Sequence, residues 1–74
     1  MARLPVISGA EAVRAFERDG WRCDRQQGSH AILLKPGQVA TLSIPQHREL
    51  APGTLRSLIR VAGLTVNEFV VLLR

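Results

Sequence analysis

The sequence predicts one small α+β domain. In it a helix precedes a three-stranded antiparallel meander, and a second helix and a short third one follow. Three observations carry this expectation. The segments Ser8-Gly9-Ala10-Glu11 and Thr65-Val66-Asn67-Glu68 each fit a capping box, in which the hydroxyl and the carboxylate satisfy free backbone N–H groups at a helix start. Between them, three strand-like runs are divided by Gly28-Ser29 and Lys35-Pro36-Gly37-Gln38, both turn signals. After Pro52, the apolar residues Leu55, Leu58, Ile59 and Ala62 recur at helical spacing.

In the first helix Ala12, Val13 and Phe16 form the inward stripe, Arg14, Glu17 and Arg18 face water, and Gly20 ends the element. Trp21 to Arg25 alternates apolar and charged residues, as a half-exposed strand does, with Cys23 expected to pack against the helix. Gln26 to Ser29 make the turn, with Gly28 at a position tolerant of positive φ. His30 to Lys35 is apolar on both parities between its ends, which predicts the central strand, and a regular strand puts His30 on one face with Ile32 and Leu34. The third strand is expected over Val39 to Ile44, closed by Pro45 because proline cannot donate to a ladder. Pro52 suits the first position of the next helix, Gly63 its end, and Val66, Phe69, Val70 and Leu73 the packed side of the last. No linker, repeat or low-complexity segment divides residues 1–74.

A chain of 74 residues supports one modest core, burying about 60% of its unfolded surface. The single cysteine cannot build an internal disulfide and suggests a reducing, cytoplasmic setting. No run approaches the ~18 apolar residues of a membrane span. Met1 to Gly9, with one arginine and a Pro-broken apolar patch, does not read as a signal peptide. The formal charge is +4, with arginine supplying all but one of the ten basic residues, and arginine's planar fork suits phosphate. A polyanionic or acidic partner fits that balance, as does an ordinary solubility charge. Trp21, Phe16 and Phe69 are expected in the core, so a base-stacking platform for single strands is not indicated.

The chemistry-bearing candidates are few. His30 stands just after the Gly28-Ser29 turn and His47 just after the third strand, and histidine is the side chain best suited to moving protons near neutral pH. Spacing alone leaves His30 open to a purely structural reading, as a satisfied strand-end histidine. His47 reads either as a second proton carrier or as a loop histidine bonded to backbone. The N–H groups of Gly28 and Ser29 suit a phosphate oxygen, and Arg25, Lys35 and Arg48 flank the two histidine segments as candidate phosphate contacts or plain surface charges. Arg56 and Arg60 read as a solvated helix face. Two histidines and one cysteine at these spacings match no zinc site, and Ser29 lacks the strand–elbow–helix setting of a hydrolase nucleophile. No cofactor is expected.

At Gly28-Ser29-His30, Ile44-Pro45-Gln46-His47 and Pro52-Gly53-Thr54-Leu55 the sequence resembles the HicA family of toxins from toxin–antitoxin systems. Agreement continues through Leu58-Ile59-Arg60, Ala62-Gly63 and Glu68-Phe69, covering nearly the whole chain in order and spacing. The resemblance implies a fold like the double-stranded RNA-binding domain, with the helices on one face of the sheet. It implies ribosome-independent mRNA cleavage, with the catalytic histidine falling on His30, and a HicB-type antitoxin that covers the active site. A free toxin of this kind is expected to be monomeric and to form a higher-order complex with its antitoxin. One position departs from the pattern: many members carry a basic residue just before the glycine, where this chain has Gln27. Two other readings stay open, an RNA-binding module that blocks translation by occupancy and a pure protein-interaction domain.

Overall fold

Residues 3–74 are described by a computed structural model, and Met1 and Ala2, part of the segment judged not to be a signal peptide, lie outside it. Helix α1 runs Gly9–Arg18. The Ser8 hydroxyl accepts the Glu11 N–H at 3.1 Å while the Glu11 carboxylate accepts the Ser8 N–H at 3.0 Å. At the other end Gly20 takes φ +99°, its N–H donates to the Glu17 carbonyl, and the Trp21 N–H donates to the Phe16 carbonyl. That pair of bonds is a Schellman motif, and it turns Trp21 inward. Ala12, Ala15 and Phe16 are the buried stripe, with Val13 at its margin.

Strands β1 (Arg22–Gln27), β2 (His30–Leu34) and β3 (Leu42–Pro45) form an antiparallel sheet in that order, so β2 is central as expected. The register pairs Gln27 with His30 and Ala31 with Ile44, and it places Leu33 between Cys23 and Leu42. Ala31, Leu33, Leu42 and Ile44 join the core with Phe16, Trp21, Leu55, Ile59 and Phe69. The parity of β2 therefore sends Ala31 and Leu33 to the helix-covered face and His30, Ile32 and Leu34 to the other.

Two expectations for the sheet need correcting. Cys23 is exposed rather than packed on the helix, and every residue of β1 is exposed. β1 is an edge strand whose ladder slips between Cys23 and Arg25, and the bulge and the lack of an outer neighbour leave both its parities in solvent. Trp21, the buried residue of that run, precedes the strand. The third strand is also shorter than expected: Val39 to Thr41 lie outside it, and Val39 is fully exposed. Lys35-Pro36-Gly37-Gln38 forms its turn, with Gly37 at φ +83° and a 3.0 Å bond from the Gln38 N–H to the Lys35 carbonyl. The chain then travels unpaired to Leu42, so apolar character at Val39 did not signify pairing.

Helix α2 (Pro52–Val61) has Pro52 in its first turn and buries Leu55, Leu58 and Ile59. Gly63, at φ +77°, closes it with a second Schellman pair, Gly63 N–H to Arg60 and Leu64 N–H to Ile59. Helix α3 (Val66–Leu72) begins with the Thr65–Glu68 capping box and buries Phe69 against Phe16, ring centroids 4.9 Å apart. Arg18 extends from α1 to donate to the carbonyls of Leu72 and Arg74, holding the end of α3. Three helices on one side of a three-stranded sheet is the α+β arrangement the sequence predicted. Among the described residues no helix is long and apolar enough to cross a membrane.

Candidate active site

The turn before His30 is a two-residue hairpin loop. Gly28 takes φ +61° while Ser29 keeps a negative φ, which is the pattern of a type II′ turn with glycine at its first position. Strand β1 therefore extends to Gln27, past the Arg25 the sequence suggested, and Gln27 and His30 close the hairpin as direct cross-strand partners. Among the described residues, neither the Gly28 nor the Ser29 N–H donates to another protein group. Two outward amide donors thus sit immediately before the imidazole, where an anionic oxygen can approach.

His30 is partly buried at the rim of the open sheet face, and its ring has no hydrogen-bond or ion-pair partner among the described residues. Its neighbours across the ladders are Gln27 on β1 and Pro45 on β3. The next residues of the same face are Arg25 opposite Ile32 and Ser43 on the far side. Sharing a face with Ile32 and Leu34 therefore puts the histidine on the side away from the helices, where Ile32 is buried, Leu34 exposed and His30 intermediate between them.

The second histidine segment is brought to the same end of the sheet. The Gln46 N–H donates to the Ser29 carbonyl at 2.6 Å, extending the β2–β3 pairing by one step beyond His30. The Gly9 N–H donates to the His47 carbonyl at 2.9 Å, whereas the exposed His47 imidazole has no hydrogen-bond partner among the described residues and so is not the backbone-bonded ring of the structural reading. Gly9 fits there for lack of a side chain: a Cβ would collide with the Pro45 carbonyl oxygen and lie 2.9 Å from Gln46 Cα. The first turn of α1 is thus wedged against the strand end that pairs with His30. Sequence reasoning assigned α1 no part in the site, and a glycine inside a capping box was the only signal available.

The candidate cations divide by position. Arg25 lies on the His30 face, and its Nη1 donates to Asp24 at 2.7 Å, both side chains well exposed. Arg48 is exposed, one residue past His47 in the loop before α2. Lys35 does not reach the histidine. It follows β2 at the opposite end, about 16 Å along the strand at ~3.3 Å per residue. There its ammonium lies 3.3 Å from the Asp19 carboxylate and 5.9 Å from the centre of the Trp21 ring. Lys35 thus takes part in the closure of α1 onto the sheet, and the structure does not bring it together with His30 as the sequence expectation grouped them. Arg56 and Arg60 are exposed on α2.

The hairpin end of the sheet thus brings together an unpartnered histidine side chain, two free backbone amides and the exposed Arg25 and Arg48. Comparison with known proteins gives the class. The family model of the HicA toxin of bacterial toxin–antitoxin systems matches residues 9–64, from the first residue of α1 to just beyond α2. That span takes in most of the chain and all the candidate site, and the chain belongs to the HicA toxin family. A search of curated proteins gives no match.

Proposed function

We propose that this toxin is an endoribonuclease that cuts mRNA in the cytoplasm by metal-independent transesterification, with His30 as its proton-transfer group. The observation that carries the reading is the placement of His30: on the open face, at the rim, directly after two free backbone donors. RNA contains its own nucleophile. The imidazole takes the proton of the 2′-hydroxyl, the 2′-oxygen attacks the adjacent phosphorus, and the P–O5′ bond breaks to leave a 2′,3′-cyclic phosphate. The departing 5′-oxygen takes a proton, either the one His30 has accepted or one from His47 at the same end of the sheet. The Gly28 and Ser29 N–H groups meet a non-bridging oxygen, and Arg25, once released from Asp24, and Arg48 hold flanking phosphates.

One well-placed acid–base group contributes roughly 10²–10⁴-fold in rate, so turnover is expected to be slow. A slow nuclease is sufficient for a toxin that acts on many messages. A HicB-type antitoxin that covers the open face around His30 is the matching partner, with the free toxin monomeric and the complex of higher order. Induced expression should arrest growth and shorten messages, His30→Ala should do neither, and co-expression of a HicB-type protein should restore growth. A folded His30→Ala protein that still cuts RNA would overturn the assignment. RNA left intact by stoichiometric native protein, with salt-sensitive binding, would replace cleavage by occupancy.

A further inference from the structure

We infer that Gln27 is a substrate-contacting residue of this site, its side-chain amide donating to the phosphate on which His30 acts; this rests on the RNA-cleavage reading. The hairpin geometry leads there. Gln27 and His30 are direct partners closing a two-residue loop, so their side chains leave the same face with Cβ atoms about 5 Å apart. Gln27 is exposed, and among the described residues its carboxamide has no hydrogen-bond partner. On the other flank His30 has Pro45, which offers no side-chain donor. The amide of Gln27 is therefore the nearest uncommitted side-chain donor to the imidazole in the sheet, and it shares the loop with the free Gly28 and Ser29 N–H groups.

Charge is organised around this pair in a way that gives Gln27 a distinct task. Arg25 shares the face but is one side-chain row further along and paired with Asp24, and Arg22 stands further still, opposite Leu34. β3 contributes Ser43 and Pro45, neither charged, and the following loop contributes His47 and Arg48. A neutral amide beside the histidine donates to a phosphate oxygen without suppressing the protonated imidazole, as an adjacent cation would. Gln26 supplies an internal control. It has the same side chain, is also exposed, and pairs with Ala31, whose side chain faces the core.

The test has two arms. In the first, the His30 ring is titrated by NMR in the native protein and in Gln27→Glu and Gln26→Glu. A carboxylate across the rung raises the His30 midpoint in Gln27→Glu and shifts it less in Gln26→Glu; equal midpoints in all three would overturn the placement. In the second arm, Gln27→Ala lowers cleavage about ten-fold, the loss of one hydrogen bond to a charged oxygen, while Gln26→Ala cleaves like the native protein. Binding of single-stranded RNA is also followed against salt in the cleavage-deficient His30→Ala background. Gln27→Lys steepens the log K against log salt slope by about 0.7, one further phosphate contact, and Gln26→Lys does not. Native-like cleavage by Gln27→Ala, or equal slopes for the two lysine variants, would overturn the proposal and leave the nuclease reading standing. Absence of RNA binding by every variant would overturn both.

Discussion

Single residues in this domain separate cleanly into those that hold the fold and those left free to react. Trp21, Phe16 and Phe69 are almost wholly buried, whereas the side chains of His30 and Gln27 and the N–H groups of Gly28 and Ser29 have no hydrogen-bond partner among the described residues. His30→Ala is accordingly expected to lower cleavage by about 10²–10⁴-fold with an unchanged melting temperature. Steady-state cleavage and a thermal melt check the two halves separately. At the start of α1, the Ser8 backbone N–H, then its hydroxyl, hold the Glu11 carboxyl below its ordinary range. A carboxylate favoured in the folded state stabilises above its unfolded pKa, and that contribution is lost as pH falls through the depressed folded value. The difference in melting temperature between native protein and Glu11→Ala should therefore be present at neutral pH and shrink under acid conditions. Replacing the cap hydroxyl in Ser8→Ala should cost about 1 kcal/mol, measured by denaturant unfolding at neutral pH.

At the scale of elements, the helices were legible because their signals are local. Capping boxes at Ser8 and Thr65, glycines at 20 and 63, and the Leu55–Ala62 stripe each act within a turn or two of chain. The strands were legible only in part, because exposure of a strand depends on what lies beside it. Alternation at 21–25 suggested a half-buried strand, but β1 has no outer neighbour and a bulge, and Cys23 emerges into solvent. Val39 had strand character but found no partner once the Lys35–Gln38 turn had been made. Gln27 stands out in the sequence only as a departure from the family pattern, because its pairing with His30 lies in the register, which follows from the two-residue loop. Lys35 was placed among the phosphate contacts by its distance in sequence from His30, whereas five residues of extended strand carry it away. Lys35→Ala should thus leave RNA cleavage unchanged and lower stability by about 0.5–1 kcal/mol, through the lost Asp19 and Trp21 contacts. Gly9→Ala should affect both properties, destabilising by about 1–3 kcal/mol and also reducing cleavage, because Pro45 must move and Pro45 is the ladder partner of His30.

Across the whole molecule, one face of the sheet is packed against the helices and the other is left uncovered. All three helices share a single core with one face of the sheet, and the uncovered face carries His30 with Gln27 and Arg25 beside it and Ile32 and Leu34 beyond. In a domain of this size that division leaves little stability to spare, since total unfolding free energies are only about 5–15 kcal/mol. Truncating the central strand's core residue, Leu33→Ala, should cost about 2–5 kcal/mol and leave the domain close to unfolding at ordinary temperature, as a denaturation curve would show. The excess of arginine gives the chain a net charge of +4, which suits a polyanionic partner; in the proposed function it is the hairpin that sets where the RNA is cut. The HicA family model covers residues 9–64, which include the hairpin, α1 and α2, while α3 adds Phe69 to the core from beyond that span.

The most direct measurement is the chemistry of the RNA ends. Native protein and His30→Ala are incubated with a long single-stranded RNA in excess EDTA, and the new termini are identified by mass spectrometry. Cleavage by the native protein alone, leaving 2′,3′-cyclic phosphates and 5′-hydroxyls, is the predicted result. Cleavage of the same kind by folded His30→Ala, or 3′-hydroxyl ends that appear only when a divalent cation is restored, would contradict the account.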